Sequence, residues 1–159
     1  MNLSKANRYW SQFVASLSPT EPRPTRYVEA FCFGTSLEEG LKIAARVLDG
    51  TKTTMGSLQW SYDFDKQRLP CVGNFNIITD WDANPLCIIK TTEVQIVPLD
   101  EVEAQFAYEW GEGDRTLESW QSMYWSSLVQ EWTRIGRKPT WKAPFVCERF
   151  RRTITTAIM

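Results

Sequence analysis

A helix that stops at a glycine constrains this chain more than any other feature. Leu37, Leu41, Ala44, Ala45 and Leu48 recur with the spacing of one helical face. Ser36 stands where an N-cap belongs, and Glu39 three residues later completes a capping-box pattern. Gly50 then occupies the C-cap position, where a residue free of a Cβ penalty adopts the left-handed conformation that ends a helix. The chain must therefore turn at Gly50 and run into Thr51-Lys52-Thr53-Thr54, with Ser57 close behind. One ammonium among hydroxyls suits an anion, a ribose or a carbonyl oxygen, because Lys offers three rotatable donors and hydroxyls both donate and accept. A solvated loop with ordinary turn chemistry has the same composition, and the residues alone leave both readings open.

The rest of the chain alternates helical and extended patterns. Residues 3–17 read as a helix with Trp10, Phe13, Val14 and Leu17 on one side, and the prolines at 19, 22 and 24 forbid its continuation. Residues 1–25 are accordingly read as an N-terminal helix and Pro-rich linker, and 26–159 as the main domain. Strands are predicted over 26–33, 57–62, 72–79, 86–97 and 145–154. The turn residues Asp80 to Pro85 join the third and fourth of these into a hairpin. Trp120, Tyr124, Leu128 and Trp132 recur every four residues and mark the buried side of a helix over 114–135, closed by Gly136. The sum is an α+β domain, a curved antiparallel sheet or small barrel with helices packed on it.

Histidine is absent, which excludes Ser-His-Asp and Cys-His nucleophile systems, two-histidine ribonuclease chemistry and His-containing zinc sites. Cys32, Cys71, Cys87 and Cys147 are far apart with no C-x-x-C pair, and they read as small buried hydrophobes. No metal or cofactor is expected. No apolar stretch reaches the length that crosses a bilayer, and the start of the chain lacks a secretory apolar run, so a cytoplasmic protein with no membrane partner is expected. The net charge of −1 hides an asymmetry: residues 131–159 hold seven basic and two acidic side chains, the rest 11 basic and 17 acidic. A basic C-terminal segment suits a phosphate backbone, and equally a solvated edge strand. Of the eight tryptophans, Trp60 and Trp81 are the candidates for stacking on a ligand, the others belonging mostly to the core.

Taken in order, the motifs resemble the ASCH-domain family. The resemblance rests on Gly50-Thr51-Lys52-Thr53-Thr54, Val72-Gly73-Asn74, Thr92-Glu93-Val94, Gly111-Glu112-Gly113-Asp114-Arg115-Thr116-Leu117-Glu118-Ser119-Trp120 and Val146-Cys147-Glu148-Arg149-Phe150. It implies a PUA-like fold, a small curved β-barrel with flanking α-helices, and a cleft around the lysine loop that takes RNA or a modified nucleoside. Gly50, Lys52, Thr53, Thr54, Ser57, Trp60 and Arg149 are the implied ligand-binding residues. Some members resemble amidohydrolases acting on N4-acetylcytidine and others are associated with ribonuclease activity, which would make Lys52 and Glu112 catalytic here.

The hydrolase pattern asks for a threonine three residues after the lysine and a carboxylate three residues after an alanine. This chain has Met55 and Trp110 at those positions, with Glu109 and Glu112 on either side of Trp110. A histidine common in longer members aligns with Tyr124. A partly buried lysine becomes a better base, whereas one beside a carboxylate stays charged and anchors an oxyanion or phosphate. Arg149 offers a planar fork for phosphate or a base edge, or else pairs with Glu148 or Glu112. The sequence thus leaves a binding module and a hydrolase as alternatives, and leaves a homodimer open.

Overall fold

The structure, a computed structural model, describes residues 4–153; residue 3 of the expected first helix and residue 154 of the expected last strand lie outside them. The fold is α+β and PUA-like, with helices flanking a mixed five-stranded sheet in the order β1-β3-β4-β5-β2. Its strands are β1 (Ala30–Phe31), β2 (Thr54–Leu58), β3 (Phe75–Thr79), β4 (Pro85–Pro98) and β5 (Pro144–Arg152). The chain divides into two compact units, and β4 and β5 each begin in one and end in the other.

Among the described residues the first unit comprises 4–50, 73–90 and 151–153. Helix α1 (Lys5–Ser16) starts where the Ser4 hydroxyl accepts from the Asn7 N–H, and it buries Trp10 and Phe13. These rings pack with Phe75, Ile77 and Ile88, the Trp10 ring lying 5.5 Å from both Tyr27 and Phe75. The β3–β4 hairpin forms as expected, its turn held by Asp80, whose carboxylate accepts from the N–H groups of Asp82 and Asn84. The extended segment near residue 30 is shorter than the predicted strand and pairs parallel to β3, so the sheet is mixed rather than antiparallel.

Helix α2 (Leu37–Asp49) is capped as the sequence requires, Ser36 accepting from the Glu39 N–H and Gly50 standing at φ 85°. Its buried face overlaps the predicted one only at Ala44. Gly40, Ile43, Ala44 and Val47 are buried, while Leu37 and Leu41 are more than half exposed. Gly40 decides this: a Cβ there would lie 3.0 Å from the Cys32 Sγ and the Phe33 carbonyl oxygen, so the glycine is what lets that segment lie against the helix.

The second unit comprises residues 51–72 and 91–150. β2 pairs antiparallel with β5, and the pairing ends at Leu58 opposite Phe145. Pro144 opens β5 with no N–H to give, so the ladder cannot lengthen, and the chain turns into helix α3 (Gln59–Asp65) where a strand to residue 62 was predicted. Helix α4 (Ala104–Trp110) had no sequence counterpart. The long helix expected over 114–135 is two, α5 (Leu117–Ser127) and α6 (Val129–Ile135). The Ser127 hydroxyl donates to the Tyr124 carbonyl at 2.6 Å, competing for a helical acceptor just where the break falls. Leu58, Phe106, Trp120, Leu128, Trp132 and Phe145 form the centre of this unit's core.

Candidate functional site

The lysine loop lies in the second unit, between the start of β2 and the end of α4. Gly111 brings them together. It ends α4 at φ 74°, and a Cβ on it would stand 2.6 Å from the Thr51 carbonyl oxygen and 2.9 Å from the Lys52 Cα. No other residue permits that backbone contact. The Thr53 N–H donates to the Glu109 carbonyl at 2.8 Å and the Phe150 N–H donates to the Thr53 carbonyl at 2.9 Å, so the loop is held from both sides.

Lys52 points inward and is 1% exposed. Its Nζ lies 3.0 Å from Oε2 of Glu112, donates to the Trp110 carbonyl at 3.3 Å, and sits 3.9 Å from the centre of the Trp110 ring. Burial strips the ammonium of water and lowers its pKa to about 8; the Glu112 carboxylate works the other way, favouring the charged form. The indole face adds a cation–π contact that is strong because the site is desolvated. A tryptophan thus meets the lysine at the position where the hydrolase pattern has a carboxylate.

Arg149 forms the second part of the cluster. It stands opposite Thr54 in the β2–β5 register, donates from Nε to Glu109 at 2.9 Å, and lies 3.5 Å from Glu93 through Nη1. The sequence offered Glu148 or Glu112 as its partner; Glu148 is ruled out because neighbours on a strand point to opposite faces. Glu148 instead accepts from the Thr91 hydroxyl at 3.1 Å and is buried. Desolvation raises its pKa to about 7, the Thr91 hydrogen bond opposing the shift.

The remaining expected residues separate clearly. Thr54 is buried and its hydroxyl donates to the Phe106 carbonyl at 3.2 Å. Thr53 is half-buried beside it. Ser57 alternates to the opposite face of β2, which it shares with Met55. Trp60 is removed from the lysine, its ring meeting Trp132 and lying under Arg137. Gly50 caps α2. Trp81 is half-exposed in the Asp80 turn of the first unit. The cluster therefore consists of Lys52, Thr54, Glu112 and Arg149, with Thr53 held beside them through its backbone, joined by Glu93, Glu109 and Trp110.

The segment after Gly111 explains itself through the same geometry. Glu112 serves Lys52, and Asp114 accepts from the Thr116 hydroxyl and N–H. Thr116 in turn caps α5 by accepting from the Ser119 N–H. Arg115 donates to the Tyr108 carbonyl and stacks on the Tyr108 ring at 3.7 Å. Among the described residues no cluster of three or more Cys, Asp or Glu side chains has metal-binding geometry, and no helix is long and apolar enough to cross a membrane.

The family model of the ASCH domain matches residues 29–153, which include every residue of this cluster. The chain belongs to the ASCH domain family. An ASCH domain from Lactobacillus crispatus JV V101 has a similar structure, with 26% identity, a TM-score of 0.87 and coverage of 93% of each chain. The Enterococcus faecalis V583 protein EF3133 is 27% identical with a TM-score of 0.81, over 94% of this chain and 88% of that one. No curated protein matches the sequence significantly.

Proposed function

We propose that this ASCH domain binds RNA or a modified nucleoside at the Lys52 loop and does not hydrolyse it. The observation that supports binding is the closure of Lys52 between the Trp110 ring and Glu112. An ammonium held charged and 1% exposed is a poor nucleophile, and Met55 supplies no hydroxyl to replace it. Lys52 instead fixes Glu112, whose side chain stays 22% exposed, as does that of Arg149. The Glu112 carboxylate as acceptor, and Arg149 Nη2 as the donor left over by the pairs with Glu109 and Glu93, suit a base edge with an amino group and a nearby phosphate or carbonyl. The four thiols, none of them in a disulfide, suit action in the reducing cytoplasm.

The hydrolase reading keeps one observation in its favour, a lysine of lowered pKa 3.0 Å from a carboxylate. Two measurements separate the readings. A thermal-shift series with modified nucleosides and short single-stranded RNAs should raise Tm for at least one ligand, and Glu112→Gln and Arg149→Gln should each reduce that rise. Incubation with N4-acetylcytidine should release no cytidine above background. Turnover of about 1 per second or faster that disappears in Glu112→Gln would replace the binding reading with the catalytic one.

A further inference from the structure

Half of the tryptophans form a ladder on the second unit that takes no part in the lysine cluster. Trp60 meets Trp132 with ring centres 6.4 Å apart, Trp132 meets Trp125 at 5.7 Å, and Trp125 stacks on Trp141 at 4.2 Å with the planes 15° apart. Core aromatics usually end in the core, but this ladder ends at the surface: Trp141 is 37% exposed. The loop that carries Trp141 is held in place, since the Asp100 and Leu99 N–H groups donate to the carbonyls of Trp141 and Ala143. The outer ring is therefore presented on a fixed backbone.

Charge gathers in the segment that carries Trp132 and Trp141. Residues 132–147 contain four basic side chains and no carboxylate. Arg134 is taken by Asp65 and Glu131, and Lys142 by Asp100. Arg137 and Lys138 are exposed, and among the described residues neither has a carboxylate within ion-pair distance. Arg137 lies over the Trp60 ring with its guanidinium carbon 4.4 Å from the centre, which fixes its position without neutralising it.

We infer that this face, with Trp141, Arg137 and Lys138 as its contacts, binds single-stranded nucleic acid. Trp141, stacked on Trp125 and still 37% exposed, offers a platform to an unpaired base. Two uncompensated cations three and four residues earlier in the chain, Arg137 being held at the Trp60 end of the ladder, meet phosphates further along the strand. A duplex hides its base faces and gains only from the cations. The inference does not depend on the ligand of the lysine cluster, and the experiment is arranged so that each can fail alone.

The test is fluorescence anisotropy of the full chain with a labelled single-stranded RNA of roughly 12 nucleotides, within the size range of such sites, and with the duplex of the same sequence. Binding should be tighter for the single strand. Trp141→Ala should weaken it by at least about fivefold, the low end for one lost base–aromatic stack. Arg137→Gln with Lys138→Gln should reduce the slope of log K against log salt by about 1.4, for two phosphate contacts on a single strand. Circular dichroism and Tm check that Trp141→Ala is folded; if it is not, the double variant at two exposed positions decides. Nucleoside-induced shifts in Tm should be unchanged in the double variant and reduced in Arg149→Gln. The inference is overturned if the wild-type chain fails to bind the single strand in low salt. It is equally overturned if the double variant binds with the wild-type affinity and salt slope, or if only Arg149→Gln affects RNA binding.

Discussion

Glu148 should make the protein lose stability as the solution passes from mildly acidic to neutral. Its carboxyl is buried on β5, faces Thr91 on β4, and is raised from 4.5 to about 7 because burial disfavours the charged form. The folded state therefore holds a proton that the unfolded chain has released between about pH 4.5 and 7, and stability must fall with rising pH across that window. At about 1.4 kcal/mol per tenfold change the full effect is about 3 kcal/mol, fully lost once the folded carboxyl has ionised. The carboxylates with lowered pKa, Asp65, Asp80 and Asp114, act in the opposite sense but below the ordinary carboxylate range, so their window is separate. Urea unfolding at pH 5, 6, 7 and 8 measures the slope. Glu148→Gln keeps an oxygen for the Thr91 hydroxyl and removes the titration. The variant should match the wild type near pH 5 and exceed it by about 2–3 kcal/mol at pH 8. Parallel pH profiles for the two proteins would refute the assignment of a proton to the buried carboxyl.

Gly111→Ala should cost about 2–4 kcal/mol, combining a left-handed backbone with a methyl group driven into Thr51 and Lys52; urea unfolding reads it, and a loss under about 1 kcal/mol would disprove the close approach. Because Lys52 is buried, Lys52→Ala should destabilise by about 2–4 kcal/mol, and Lys52→Met combined with Glu112→Gln should recover much of the loss by removing both charges; a double variant no better than Lys52→Ala rejects the pairing. Thiol labelling of the native protein should reach the exposed Cys71 first, since burial raises the Cys87 and Cys147 thiols to about 11 and about 12; mass spectrometry of the labelled peptides checks the order.

The local signals were legible and the choice among equivalent faces was not. Ser36 and Gly50 delimit α2 in the sequence and in the structure alike, because capping needs only neighbours. The face that α2 buries was misread: Ile43 and Val47 compete with Leu37 and Leu41, and the decision lies in the contact of Gly40 with Cys32 and Phe33, segments that propensity cannot connect. The every-four recurrence of Trp120, Leu128 and Trp132 did mark buried positions, although the helix breaks between them. At the lysine cluster the sequence named Lys52, Glu112 and Arg149. It also showed Trp110 as a departure, but not that the indole would lie against the ammonium. Period-two alternation on β5 was the available signal that Glu148 and Arg149 face opposite ways.

The interleaving of the two units bears on how the protein can be made. The first unit draws its strands from widely separated stretches, and Thr153 is tied back to Ile88 by both its N–H and its hydroxyl. Translation therefore delivers α1, α2 and the β3–β4 hairpin long before residues 151–153 exist to finish the same unit. The tie between Thr153 and Ile88 forms only after a long loop has closed. Neither unit can be cloned as a continuous piece of gene. A chain released short of residue 151 lacks the end of β5 and both hydrogen bonds from Thr153 to Ile88, and so carries an incomplete first unit rather than a smaller domain.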